Sequence, residues 1–279
     1  MSNKRKCFSS VRGQTALVVL LLTVVVMSVG LSLSREVITD VEISRKQEES
    51  ARAFSAAEAG VDEVFYQWQS SGSIPTGLDI NDGTAAMETV ELGANQTGFT
   101  FPAAVEDGDF AVIWLTSHDS VSGEIVETAN YFDFGDQINV CWDEDAAAEL
   151  ILFYKDIAAD DYHTKRWAYD PLSRSGFTAS GGGCRGLDNS ASLNYADFEG
   201  AEIPIFMVVK VFYEEVAVGA EIVAIDNSVF SSQGLSVTSV GQVDSSSTEV
   251  VSRRITAFQT WDIPPVVFME PLFSGGTTQ

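Results

Sequence analysis

Between Gly13 and Ser34 the chain runs for 22 residues without a charge. Inside that run, Ala16–Leu33 holds 12 Leu and Val residues. As a helix the run would be about 33 Å long, at roughly 1.5 Å per residue. That matches a hydrocarbon core of about 30 Å. At about −0.3 to −0.6 kcal/mol per Leu or Val, these side chains favour insertion by roughly 4–7 kcal/mol. Ser28, Ser32 and Ser34 reduce the preference little, because a helical serine bonds back to a carbonyl of its own helix. No breaker separates this run from Arg35–Trp68, so Gly13–Trp68 reads as one helix. Its first half would lie in a lipid bilayer and its second half would carry a folded domain.

Charge gives the orientation. The chain has 16 basic and 40 acidic residues, a formal charge of −24. Lys4, Arg5, Lys6 and Arg12 place +4 ahead of the apolar run, which leaves −28 beyond Ser34. Basic residues on one flank predict a cytoplasmic N-terminus and an extracytoplasmic remainder. From Ala53 to Tyr154 there are 19 acids and no Lys or Arg. Such a surface repels phosphate backbones, which argues against nucleic acid as a partner. It suits a solvated exterior, or weak binding of hard divalent cations.

Three processing fates fit these features. A secretory signal peptide would have a shorter apolar core and a small-residue cut site after it, and Ser28-Val29-Gly30 is a poor one. An uncleaved signal anchor is the second fate. The third is a cut after Gly13 that removes the basic leader and keeps the helix.

The order of leader, Gly13 and apolar helix resembles a type IV prepilin. Arg12-Gly13-Gln14-Thr15-Ala16-Leu17 resembles the start of PilX-type minor pilins. Ala53-Phe54-Ser55-Ala56-Ala57-Glu58-Ala59-Gly60 is similar to the AFxAAEAA segment of that family. The resemblance covers about residues 12–66. It implies a prepilin peptidase cut between Gly13 and Gln14, N-methylation of Gln14, and assembly with other pilin-like subunits through the helix. A cut there places Val18 at the fifth position, where most major pilins carry Glu. That departure fits a minor subunit better than a major one.

Beyond Ser34 the helix becomes one-sided. Ile38, Val41, Phe54, Ala57, Val61, Val64, Phe65 and Trp68 recur at three- and four-residue steps. Glu42–Arg52 is polar and mixed in sign, with pairs such as Glu48–Arg52. Ala56, Ala57, Ala59 and Gly60 form a small-residue patch that lets a helix or a sheet come close. Glu58 reads as an ordinary solvated carboxylate, with pairing to a neighbouring subunit as the alternative. Gly72 and Pro75 predict the helix end.

From Gly72 onwards short apolar runs are divided by Gly, Asp, Asn and Pro, the pattern of a β-rich domain. Strands are expected at Phe110–Thr116, Ile125–Phe132, Ile138–Trp142, Leu150–Tyr154, Thr164–Tyr169, Ile205–Tyr213, Glu221–Ile225, Leu235–Val243 and Val250–Trp261. Asn81-Asp82-Gly83, Glu106–Asp109 and Phe134-Gly135-Asp136 read as turns. Asp170–Glu202 reads as a loop or a boundary between two β lobes. After Pro264-Pro265, Val266–Met269 would cover an edge or form a partner patch, and Ser274–Gln279 is a tail. The expected fold class is therefore α+β. A basic leader (1–13) precedes a transmembrane segment (14–34), an amphipathic helix (35–72) and a β-rich exterior domain (73–279).

Chemistry is sparse. Gly181–Gly186 matches GxGxxG but lacks the strand and helix that the dinucleotide fingerprint needs. There is no Walker A, HExxH or GxSxG pattern. His118, beside Asp119, and His163, two residues after Asp161, read as surface residues. The acidic groups around Asp79, Glu106 and Asp143 fail the calcium-loop template and read as turns. Cys141 and Cys184 could pair in an oxidising compartment or remain as buried thiols. No cofactor, metal or catalytic set is expected. The function expected is a membrane-anchored minor pilin or pseudopilin. The alternative is a signal-anchored surface or adhesion protein that binds a partner through its β domain.

Overall fold

The structure, a computed structural model, describes residues 12–71, 74–80, 83–119, 122–130, 137–194, 202–223, 228–244 and 250–262. Met1–Val11, Gly72, Asn81-Asp82, Phe134–Asp136, Pro264-Pro265, Val266–Met269 and Ser274–Gln279 lie outside the described residues.

One helix, α1 (Arg12–Ser71), runs unbroken for 60 residues, about 90 Å at the usual rise. Hydroxyls in its apolar half bond back to their own helix. Thr23 Oγ1 donates to the Leu20 carbonyl at 2.8 Å, Ser28 Oγ to Val25 at 2.8 Å and Ser34 Oγ to Gly30 at 2.9 Å. Its polar middle carries the i,i+4 pairs Arg45–Glu49 (2.9 Å), Lys46–Glu42 (3.2 Å) and Arg52–Glu48 (2.6 Å).

The strands follow in chain order. They begin with β1 (Gly77–Ile80), β2 (Gly83–Glu91), β3 (Gly98–Thr100), β4 (Phe110–Trp114), β5 (Thr116–His118) and β6 (Ile125–Asn130). Next come β7 (Gln137–Trp142), β8 (Ala147–Asp156), β9 (Asp161–Asp170), β10 (Thr178–Ala179), β11 (Gly181–Gly182) and β12 (Asn189–Asn194). The last are β13 (Glu202–Phe212), β14 (Val218–Val223), β15 (Gly234–Asp244) and β16 (Val250–Thr260). The molecule is thus α+β, one long N-terminal helix followed by a strand-rich region of several sheets.

Two units share the strands. A four-stranded antiparallel sheet, β1-β2-β15-β16, packs against the second half of α1. Among the described residues it combines the first strands after the helix with the last strands, so the strands between β2 and β15 form an insertion. That insertion is a sandwich of two five-stranded sheets, β10-β9-β8-β13-β4 and β11-β12-β7-β14-β3, together with a separate two-stranded sheet, β5-β6. The facing side chains of the sandwich form one core, with Ile113, Leu150, Leu152, Met207 and Val209 from one sheet and Val140, Trp142, Leu193, Val218 and Ala220 from the other. β4 and β8 supply near-continuous apolar runs because they are buried on both faces. Val112, Trp114, Ile151 and Val208 form a second cluster on the outer side.

Several sequence expectations need correction. Asp170–Glu202 is not irregular throughout, since β10, β11 and β12 lie within it. β12 is polar (Asn189, Ser190, Ser192) yet pairs along its length with β7. β1, β2 and β3 were not expected. β14 lies at Val218–Val223, three residues ahead of the expected start. The strand expected at Leu150–Tyr154 is present and longer, Ala147–Asp156, and the Ala147 and Ala148 side chains fit the sandwich core at 0% exposure.

Candidate assembly interface

The helix divides into a bare half and a docked half. Every residue from Ala16 to Glu48 is exposed. That includes Leu17, Leu20, Val24, Met27, Leu31 and Leu33, each 57–69% exposed. Among the described residues this is the one helix long and apolar enough to cross a membrane. Gly13 and Gln14 sit in its first turn.

Docking begins at Ala53. Ala53, Ala56, Ala57, Gly60, Val61, Val64 and Trp68 are buried against the sheet. They recur at three- and four-residue steps, as one helical face must. Phe54 belongs to the expected stripe but is 47% exposed, and Ile38 and Val41 are also exposed. Ala53 holds the contact position one residue away from Phe54. Glu58 points to solvent.

Small side chains on both partners explain how close the helix comes. A Cβ placed on Gly60 would lie 2.5 Å from Ser239 Oγ and 2.9 Å from Ala85 Cβ. On the sheet side, a Cβ placed on Gly241 would overlap the Ala53 carbonyl oxygen and lie 2.5 Å from the Ala57 nitrogen. Ala85 and Met87 of β2, with Leu235 and Val237 of β15, complete the receiving surface. Arg253 of β16 donates from Nε to Ser50 Oγ at 2.7 Å at the edge of this contact. The small-residue patch is therefore occupied by the chain's own sheet. Its partner Gly241 was readable in principle, since a lone glycine inside a strand marks a close backbone approach.

Cys141 of β7 and Cys184, between β11 and β12, form a disulfide with Cα atoms 5.6 Å apart. The bond ties the β11–β12 hairpin to a central strand of its sheet.

The acids serve turns and strand ends. Asp107 Oδ1 accepts the Tyr213 N–H at 2.6 Å, and Asp143 Oδ1 accepts the Ala217 N–H at 2.7 Å. Asp170 is fully buried and accepts N–H bonds from Leu172 (2.9 Å) and Arg174 (2.8 Å), besides the Arg174 guanidinium at 3.1 Å. On the sandwich surface Glu127 accepts hydrogen bonds from Lys155 and Tyr162, which hold its carboxyl below the ordinary range. Among the described residues no three His, Cys, Asp or Glu side chains converge to hold a metal ion.

The two histidines differ. His163 is exposed on β9. His118 is not the surface residue that its Asp neighbour suggests. It stacks on Trp261 (centroids 4.7 Å apart, planes 10° apart) and meets Trp114 edge-to-face at 4.4 Å. Burial lowers its pKa to about 4.

No family model matches the chain, and neither a curated protein nor a solved structure matches it.

Proposed function

We propose that this protein is a membrane-anchored minor pilin or pseudopilin that assembles through α1 into a type IV pilus-like filament or secretion apparatus. The observation that carries this reading is the bare half of α1. Leu17–Leu33 is apolar and exposed along its whole length, and among the described residues nothing of the chain's own domain covers it. An apolar surface of that extent needs a lipid or protein environment. In this reading the bilayer surrounds the helix first and neighbouring pilin-like helices surround it later. The AFSAAEAG segment opens the docked half of α1, which continues without a break from the bare half, so the sheet holds one end of the helix and leaves the other uncovered.

The disulfide suits an extracytoplasmic domain, since such bonds persist in oxidising compartments. The acidic exterior would keep the domain soluble and outward-facing. The mechanism is assembly, with no turnover. Gly13-Gln14 is the junction a prepilin peptidase would cut.

The test is a photo-crosslinking residue at Leu20 or Val25 in the native host. Assembly predicts adducts with other pilin-like chains that vanish when the prepilin peptidase is deleted. Adducts with lipid alone, unchanged by the deletion, favour the signal-anchored surface protein.

A further inference from the structure

A column of aromatic rings crosses the junction between the helix-bearing sheet and the sandwich. Trp68 of α1 meets Trp261, at the end of β16, with centroids 4.4 Å apart. Trp261 stacks on His118 of β5, and His118 abuts Trp114 of β4. Trp114 continues to Phe206 at 5.2 Å and Phe206 to Phe153 at 4.4 Å. His118 is the one ring in this column that can gain a proton.

We propose that the His118–Trp261 stack is an acid-sensitive joint, in which protonation of His118 releases Trp261 and loosens the sandwich from the helix-bearing sheet. The geometry leaves the cation poorly housed. Nδ1 of His118 is buried without a hydrogen-bond partner, and so is Nε1 of Trp114. A protonated ring would present an unanswered N–H donor at Nδ1, and leaving such a group unpaired is costly. The elements packed on His118 bring neutral rings from β4 and β16. The acids nearest in the chain are Asp119 beside it, Glu124 ahead of β6 and Asp262 after Trp261, and all three are exposed. A cation can gain about 0.5–2 kcal/mol from an aromatic face. Here desolvation prevails, and the folded ring holds its proton only below about pH 4. The ordinary value is 6.5, so a released His118 would be protonated across the interval between them. Acid therefore favours release, and the joint stays closed above that interval.

The test uses the full chain in detergent, titrated from neutral pH downward and followed by near-UV and far-UV circular dichroism. The expected result is loss of part of the tryptophan near-UV signal with a midpoint between pH 4 and 6.5, while the far-UV signal holds. Replacing His118→Phe keeps the ring and removes the proton, and should remove that transition. A wild-type signal that stays flat down to pH 4, or a transition that persists in His118→Phe, overturns the proposal. If His118→Phe does not fold, acrylamide quenching of wild-type tryptophan emission decides instead. It should rise through the same interval, and no rise overturns the joint.

Discussion

Gly241 of β15 lies against Ala53 of α1 so closely that a side chain at position 241 would occupy the Ala53 carbonyl. The obstacle is backbone, so a rotamer change cannot relieve it. Gly241→Val should therefore lever the helix off the sheet. Overpacking of this kind costs about 1–3 kcal/mol, and each kcal/mol lowers the melting temperature of a region this size by about 2–4 °C. Gly30→Ala is the control, because nothing lies within 4 Å of the new Cβ. Thermal melts of the full chain in detergent should fall for the first variant and hold for the second.

Gln233 makes a different kind of junction. Its side-chain amide pairs with both backbone groups of Trp114. The Trp114 N–H donates to Oε1 at 2.7 Å, and Nε2 donates to the Trp114 carbonyl at 2.9 Å. Gln233 is fully buried and also donates to the Ser231 carbonyl at 3.0 Å. Gln233→Leu keeps the bulk but strands those groups, at about 1–3 kcal/mol for each buried group left unpaired. A loss of about 3 kcal/mol or more in a denaturant melt is expected. A loss under 1 kcal/mol would show that water enters to replace the amide.

Breaking Cys141–Cys184 frees a loop of 43 residues. The chain-entropy relation assigns about 4 kcal/mol to closing such a loop. The double variant Cys141→Ser, Cys184→Ser should unfold at correspondingly lower denaturant. In the wild-type chain, alkylation before reduction should label neither cysteine, and alkylation after reduction should label both.

Asp170 anchors the turn after β9 with two backbone N–H bonds and one guanidinium bond. Asp170→Ala should cost about 3 kcal/mol, since bonds to a charged acceptor contribute about 1.5–3 kcal/mol. Arg174→Met leaves the buried carboxylate with its backbone donors and should cost less. Equal losses would show that the ion pair, not the turn, carries the contribution.

Much of the architecture was legible where side chains carry the signal. The charge-free run Gly13–Ser34 and the stepwise Val61, Val64, Trp68 announced the helix. Continuous runs such as Leu150–Tyr154 and Ile205–Tyr213 announced the buried strands. β2 was harder to see. Its Ala85 and Met87 do alternate with Thr84, Ala86 and Glu88, but small and polar residues give little amplitude to a period of two. β12 can be polar because its buried side chains find partners: Asn189 accepts from Ser180 and donates to the Glu144 carbonyl, and Ser190 donates to the Gly182 carbonyl. The docking position at Gly241 and the environment of His118 depend on elements far apart in the chain. His118 meets Trp261 across 143 positions, and no local pattern encodes that contact.

The most direct measurement of the central claim is the mass of the N-terminus of the membrane-extracted chain, from cells with an active prepilin peptidase. The assembly account predicts a mature chain beginning at Gln14, methylated at its new amino group and retaining the whole apolar helix. An intact Met1–Gly13 leader, or a chain cut beyond Gly30, would contradict it.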